Sequence, residues 1–178
     1  MGAATTLVTV QEFLRMPEVE GERRELIGGE VVTMSFAKLR HELVKSNLNQ
    51  ILAAWLANHW IARLFPETLY VLDEHNSFMP DLSIVFPGRF DAETDWIQGA
   101  PEIAIEVVSS ETASQLEKKI ELYLAHGGKS VWVAYPEHRF VRIFDTAGGA
   151  RGFDAGQTLE DPVLPGFSTP VASIFEGI

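Results

Sequence analysis

The stretch 101-PEIAIEVVSSETASQLEKKIELYLAHGG-128 carries the key to this chain. Its first part is an apolar run holding a single acid, Glu106. Its second part, from about Ala113 to His126, sets Leu116, Ile120, Tyr123 and Leu124 at helical spacing. A strand leading into a helix is the expected pair. Side chains alternate along a strand, so Glu102, Ala104, Glu106 and Val108 share one face and Ile103, Ile105 and Val107 the other. The all-aliphatic face belongs to a core. Glu106 then sits on the second face near the C-terminal end of the strand, where open α/β sheets tend to form ligand crevices. The plainer alternative is a solvated acid at a strand end.

The two lysines of the helix separate by geometry. At 100° per residue Lys118 lies nearly opposite the apolar stripe and should face water. Lys119 lies about 85° from the centre of the stripe. There a long side chain can lay its methylenes on the core and extend its ammonium into a crevice, or it can snorkel to solvent.

Working outward, 178 residues with 46% hydrophobic and 22% charged content describe one globular domain, expected over residues 1–178. Runs of about 18 uncharged apolar residues are missing, and Glu12 interrupts the N-terminus before a signal-peptide core could form. A cytoplasmic protein with no membrane partner is therefore expected. The opening MGAATT fits the loose N-myristoylation pattern, but no polybasic segment follows to act as a second anchor. With no cysteine, disulfides, thiolate metal sites and cysteine nucleophiles are excluded, so a metal must be held by oxygen or histidine. The 14 basic and 25 acidic residues give a formal charge of -11, which opposes loose binding to a phosphate backbone and leaves room only for local contacts.

Thr9 and Glu12 form a capping-box pair, Val8 and Phe13 stand at staple spacing, and Pro17 marks the end of a first helix. The run 23-RRELIGGEVVTM-34 reads as a hairpin about Gly28-Gly29. A long helix is expected from about Ala37 to Trp60, with Val44, Leu48, Ile51, Leu52 and Trp55 in its stripe. Strands follow at 68-TLYVL-72 and 81-DLSIVF-86, and a hairpin joins 130-SVWVAY-135 to 140-FVRIF-144. The proline-containing tail reads as loop with one short edge strand. The segment from Gly88 to Gly99 is a connection or a substrate contact. This order of elements implies an α/β fold with one mixed sheet flanked by helices.

Asp81 is a second acid in an unusual place. It follows Pro80, whose fixed backbone restricts the carboxylate's direction, and it opens an apolar strand although aspartate is depleted in strands. Two acids joined to short strands can converge on Mg²⁺, which favours one or two carboxylates with waters and phosphate oxygens.

Pro80-Asp81, EIAIEVVS with Glu106, EKKIELYLAHG running into VWVAYPEHRFVRIF, and RRELIGGEVV ahead of RHE together resemble the Uma2 family, formerly DUF820, of the PD-(D/E)xK nuclease superfamily. The resemblance covers nearly the whole chain and implies a restriction-endonuclease-like fold. It also implies a metal-dependent endonuclease acting on nucleic acid, with DNA expected and Mg²⁺ or Mn²⁺ as cofactor, working as a homodimer. By it, Asp81, Glu106 and the backbone carbonyl of Val107 hold the metal. Val108 stands where the superfamily's lysine usually stands, and the family's lysine matches Lys119 instead. Glu25 and His41 match an acid of the N-terminal hairpin and a histidine at the start of the long helix. By helical spacing His41 points inward, where a lone histidine is more often a hydrogen-bonded core residue. HELVK lacks the second histidine of a zinc protease motif.

Two other functions compete with the nuclease. One is a protein of nuclease fold that only binds, since paired acids also occur in structural ion-pair networks. The other is a glycosidase using Asp81 and Glu106, which needs an aromatic sugar platform for which Trp96 is the nearby candidate.

Overall fold

The computed structural model describes residues 7–34 and 38–178. The MGAATT segment and Ala37, the expected start of the long helix, lie outside the described residues. The chain opens with α1 (Val10–Leu14), where Thr9 Oγ1 accepts from Glu12 N–H and the Glu12 carboxylate accepts from Thr9 N–H, the expected capping box. Val8 and Phe13 both pack on the small cluster of Val10, Leu26 and Val71. The hairpin of β1 (Arg23–Ile27) and β2 (Glu30–Met34) turns through Gly28 and Gly29, at φ 58° and 79°. Positive φ at both central residues is what a two-residue turn of matching twist requires.

The long helix α2 (Leu39–Leu56) buries Val44, Leu48 and Leu52 as its stripe predicts, with Ile51 and Trp55 half-buried. It stops four residues before Trp60. There the His59 ring, stacked on Trp55, bonds the Trp55 carbonyl at 2.8 Å, so a side chain takes an acceptor that the helical ladder would use.

The strands β3 (Arg63–Pro66), β4 (Tyr70–Asp73), β5 (Asn76–Phe78), β6 (Leu82–Val85), β7 (Ile97–Gln98) and β8 (Ile103–Val107) follow. After β8 come α3 (Ala113–Ala125), β9 (Ser130–Tyr135), β10 (Phe140–Asp145), β11 (Ala150–Asp154), β12 (Thr158–Glu160), β13 (Ser168–Pro170) and α4 (Val171–Ile174). They form a restriction-endonuclease-like α/β fold, but its strands are shared between two main sheets rather than gathered in one. A six-stranded sheet has the order β11-β10-β9-β8-β6-β3, and a five-stranded sheet the order β2-β1-β5-β4-β7. Only β8 and β9 run parallel in the larger sheet, joined by the crossover helix α3. The tail forms a ribbon, β12 with β13, plus α4, in place of the single edge strand expected.

Both faces of the larger sheet are covered. Ile103, Ile105 and Val107 pack with Leu82 and Ile84 against α2 and the tail. Ala104, Val131 and Val133 pack with Leu116, Ile120 and Tyr123 of α3 and with Tyr70 and Phe78 of the smaller sheet. Asp161 fastens the tail, accepting from Ser130 Oγ and Trp132 Nε1, each at 2.6 Å. The Gly88–Gly99 segment is anchored by Arg89, which pairs with Glu102 at 2.7 Å and bonds the Ala100 carbonyl.

The turn provides a paired test. Gly29→Ala forces a left-handed alanine, a cost of about 1–2 kcal/mol, and its Cβ meets Leu7 Cβ at 2.7 Å. A Cβ at Gly28 meets nothing within 4 Å, and asparagine enters the left-handed region readily. Urea unfolding is expected to show Gly29→Ala clearly destabilised and Gly28→Asn close to wild type.

Candidate active site

The site forms where the chain passes from one sheet to the other. After β5 the chain leaves the smaller sheet through Met79 and Pro80 and enters the larger one at β6. Side chains of β1 satisfy the crossing peptide: Glu25 Oε1 accepts from Met79 N–H at 2.9 Å, and the Arg23 guanidinium donates to the Met79 carbonyl. In the antiparallel register of β6 with β8, Leu82 faces Ile105. One place further sets Asp81 opposite Glu106 with both side chains on one face, and two places further sets Pro80 opposite Val107. Cross-strand neighbours stand about 4.5–5.5 Å apart at Cβ, so two like charges are forced together.

Proline has no N–H to continue the ladder. The Asp81 carboxylate takes the Val107 N–H in the place of a ladder carbonyl, its Oδ2 accepting at 2.8 Å. The N–H and C=O of one extended residue point to the same edge, so the Val107 carbonyl faces the place where Pro80 offers no donor. The metal-binding set implied by the resemblance, Asp81, Glu106 and Val107, thus shares one sheet edge.

Lys119 is 3% exposed, so it neither snorkels nor marks the margin of a buried face. The five-stranded sheet covers the side of α3 that a single-sheet arrangement would leave open. Its Nζ lies 2.8 Å from Glu106 Oε1 and 3.0 and 3.1 Å from the two carboxylate oxygens of Glu25. Lys118, on the far side of α3, is exposed as its spacing predicts. One turn on from Lys119, Tyr123 OH donates to Glu106 Oε1 at 2.8 Å. Tyr123 was legible in the sequence only as part of the apolar stripe; its place four residues after Lys119 is the signal for this role. Glu106 is 3% exposed, which removes the reading of a solvated acid.

His41, 6% exposed, reaches in from α2: its Nε2 lies 3.1 Å from Asp81 Oδ2 and its Nδ1 3.2 Å from Glu42. Arg23 Nη1 is 3.3 Å from Asp81 Oδ1 and 3.5 Å from Glu67. The structure therefore brings together all five side chains singled out in the sequence and adds Arg23 and Tyr123.

Their environments set their charges apart. Burial pushes the Glu106 carboxyl up to about 7; Lys119 opposes the rise, and the Asp81 and Glu25 carboxylates reinforce it. Burial also disfavours the charge on Asp81, but the His41 hydrogen bond and charge, the Val107 N–H and Arg23 outweigh it and hold the group below the usual carboxylate range. Burial would strip Lys119 of its proton, yet Glu106 and Glu25 hold its pKa above the ordinary value. Burial, and then the charge of Glu106, raise Tyr123, so its hydroxyl stays a donor.

Asp81, Glu106, Val107, Lys119, His41 and Arg23 line a cleft of about 900 Å³. Glu25 lies beneath its floor. Trp96, the candidate platform for a glycosidase, is not among the described residues that line the cleft. Among the described residues, no three His, Cys, Asp or Glu side chains converge as a metal cluster. The available set is instead two carboxylates and a carbonyl, all hard oxygen donors, which fits Mg²⁺ or Mn²⁺ keeping several waters. Both Tyr123 and Lys119 address Glu106 Oε1, and no hydrogen bond to its Oε2 forms among the described residues.

Two measurements follow. Lys119→Met leaves Glu25 and Glu106 buried without their cation and is expected to cost about 3–5 kcal/mol in urea unfolding, part of which Glu25→Gln in the same chain restores. For His41, burial lowers the pKa but Asp81 and Glu42 raise it overall, above the ordinary 6.5. Its stabilisation is therefore complete below about pH 6.5 and is lost as pH rises through the folded-state value. Comparing wild type with His41→Asn in metal-free buffer, the stability difference is expected to be largest in acid and to shrink toward alkaline pH.

Among proteins of known sequence, sll1609 of Synechocystis sp. (strain ATCC 27184 / PCC 6803 / Kazusa) is 23% identical over 113 residues, 62% of this chain, and the match spans 64% of that protein's length. A crystal structure from Anabaena variabilis ATCC 29413, described as a "putative nuclease belonging to DUF820", superposes with a TM-score of 0.83 at 24% identity, covering 94% of this chain and 97% of that one. At that identity the likeness concerns the fold. No described helix is long and apolar enough to cross a membrane. The Uma2 family, described as "Putative restriction endonuclease", matches residues 10–172. With nearly the whole chain matched and the PD seam, the strand acid and the helical lysine gathered in one cleft, the chain belongs to the Uma2 family.

Proposed function

We propose that this protein is a metal-dependent endonuclease that hydrolyses phosphodiester bonds of nucleic acid, with DNA as its substrate. The observation that carries the reading is the facing pair Asp81 and Glu106 at the cleft floor, with the Lys119 ammonium 2.8 Å from Glu106. Asp81, Glu106 and the Val107 carbonyl would hold the divalent ion, which when bound would supply Lewis-acid polarisation of a phosphoryl oxygen and of the attacking water.

The chain's own residues do the rest. Arg23 and His41 keep Asp81 ionised, so it remains an oxygen donor. Glu25, itself fixed by Met79 N–H, holds Lys119 charged and in place without entering the cleft. A fixed ammonium beside the reacting phosphate stabilises the negative charge that grows there, and burial strengthens that effect because no water needs to reorganise. Tyr123 pins one oxygen of Glu106 and so fixes the direction of its carboxyl group. These local cations also answer the chain's acidic charge, which would otherwise repel a polyanion.

The test is cleavage of supercoiled plasmid and of single-stranded oligonucleotides with Mg²⁺ or Mn²⁺, comparing wild type, Asp81→Ala and Lys119→Gln. Cutting that requires the metal, vanishes in Asp81→Ala and falls by about 10²–10³-fold in Lys119→Gln is expected, the size typical of losing one group that stabilises transition-state charge. Cutting by none of the three, or equally by all, overturns the nuclease in favour of a binding module.

A further inference from the structure

A second, smaller concavity of about 120 Å³ adjoins the cleft and shares His41 and Ser109 with it. Tyr135 and Pro136 line it, at the end of β9 and in the turn that follows. In the parallel register Glu106 faces Val133, so Tyr135 lies two residues further along the neighbouring strand, on the same face as Glu106. Its side chain is half-buried, leaving part of the residue in the concavity. Lys38 and Arg40 stand at the rim, both exposed.

Glu18, Glu20 and Glu22 line the cleft and not the concavity, and they repel a phosphodiester chain. Among the residues lining the concavity the one acid, Glu137, pairs with Arg40 at 2.7 Å, with side chains 70% and 47% exposed, while Glu111 just outside it accepts from Ser109 N–H at 3.0 Å. A pair that open to water is held weakly and can exchange its carboxylate for a phosphate.

We propose that this concavity is a subsite for one unpaired nucleotide next to the scissile phosphate, its base stacked on Tyr135 and its phosphate drawn to Lys38 and Arg40. The space admits one flat base and not a duplex, so the substrate at this position is single-stranded or locally opened. Stacking of this kind is tolerant of sequence, because every base has a π-face. The inference rests on the nuclease reading of the neighbouring cleft.

The experiment is steady-state cleavage of a fluorescein-labelled single-stranded DNA with Mn²⁺ by wild type, Tyr135→Ala, Tyr135→Phe and the double variant Lys38→Gln with Arg40→Gln, each checked for native circular dichroism. Tyr135→Ala is expected to raise KM by about 5- to 150-fold, the equivalent of one lost stacked base, with kcat little changed. Tyr135→Phe keeps the ring and should stay near wild type. The double variant, altered only at exposed positions, should lessen the slope of log KM against log salt by about 0.7, the value for one phosphate of a single strand. If wild type cuts but Tyr135→Ala has an unchanged KM and the salt slope does not move, the subsite is overturned while the nuclease stands. If wild type does not cut, the nuclease reading fails and the subsite fails with it.

Discussion

One ammonium is shared by two carboxyl groups that come from different sheets. Lys119 of α3 stands between Glu25 of the five-stranded sheet and Glu106 of the six-stranded sheet, all three nearly inaccessible to water. Removing these charges from water is expensive, and their mutual attraction repays it only when geometry and further hydrogen bonds are good. Met79 N–H on Glu25 and Tyr123 OH on Glu106 supply those bonds. The cluster therefore ties the docking of the two sheets and the crossover helix to one arrangement of charges.

Pro80 has the complementary role of opening the structure. A residue with an N–H at this position could have continued the ladder between β6 and β8, and the edge at Val107 would have been closed by backbone pairing. Proline ends the pairing there, the Asp81 carboxylate takes over the Val107 N–H, and a carbonyl is left beside two acids. The repulsion between Asp81 and Glu106 is balanced by Arg23, His41 and Lys119 from three separate elements.

Periodicity along the chain showed the hairpin at Gly28-Gly29, the stripe of α2, the alternating faces of β8 and the full extent of β9, since each is written in local spacing. The strands β3, β5, β7 and β11 carry no such local pattern. They are two to five residues long, and β11 alternates exposed and half-buried positions around glycine and arginine, so its pairing with β10 is what makes it a strand. Lys119 marks the same limit: helical geometry set it apart from Lys118, but its burial depends on a sheet contributed by residues about 21 to 96 positions earlier.

By itself the sequence determined which residue types were available for chemistry and on which face of a strand or helix each would stand. It provided a proline before an acid, an acid alone in an aliphatic strand, and a lysine beside a stripe, with no cysteine to compete. Tertiary structure alone decided that these groups meet. Ionisation was also decided there: Glu106 is pushed up to about 7 while Asp81 is held low. Local spacing sets direction, whereas burial and the sum of distant charges set distance and protonation, and those exist only once the two sheets have closed on α3.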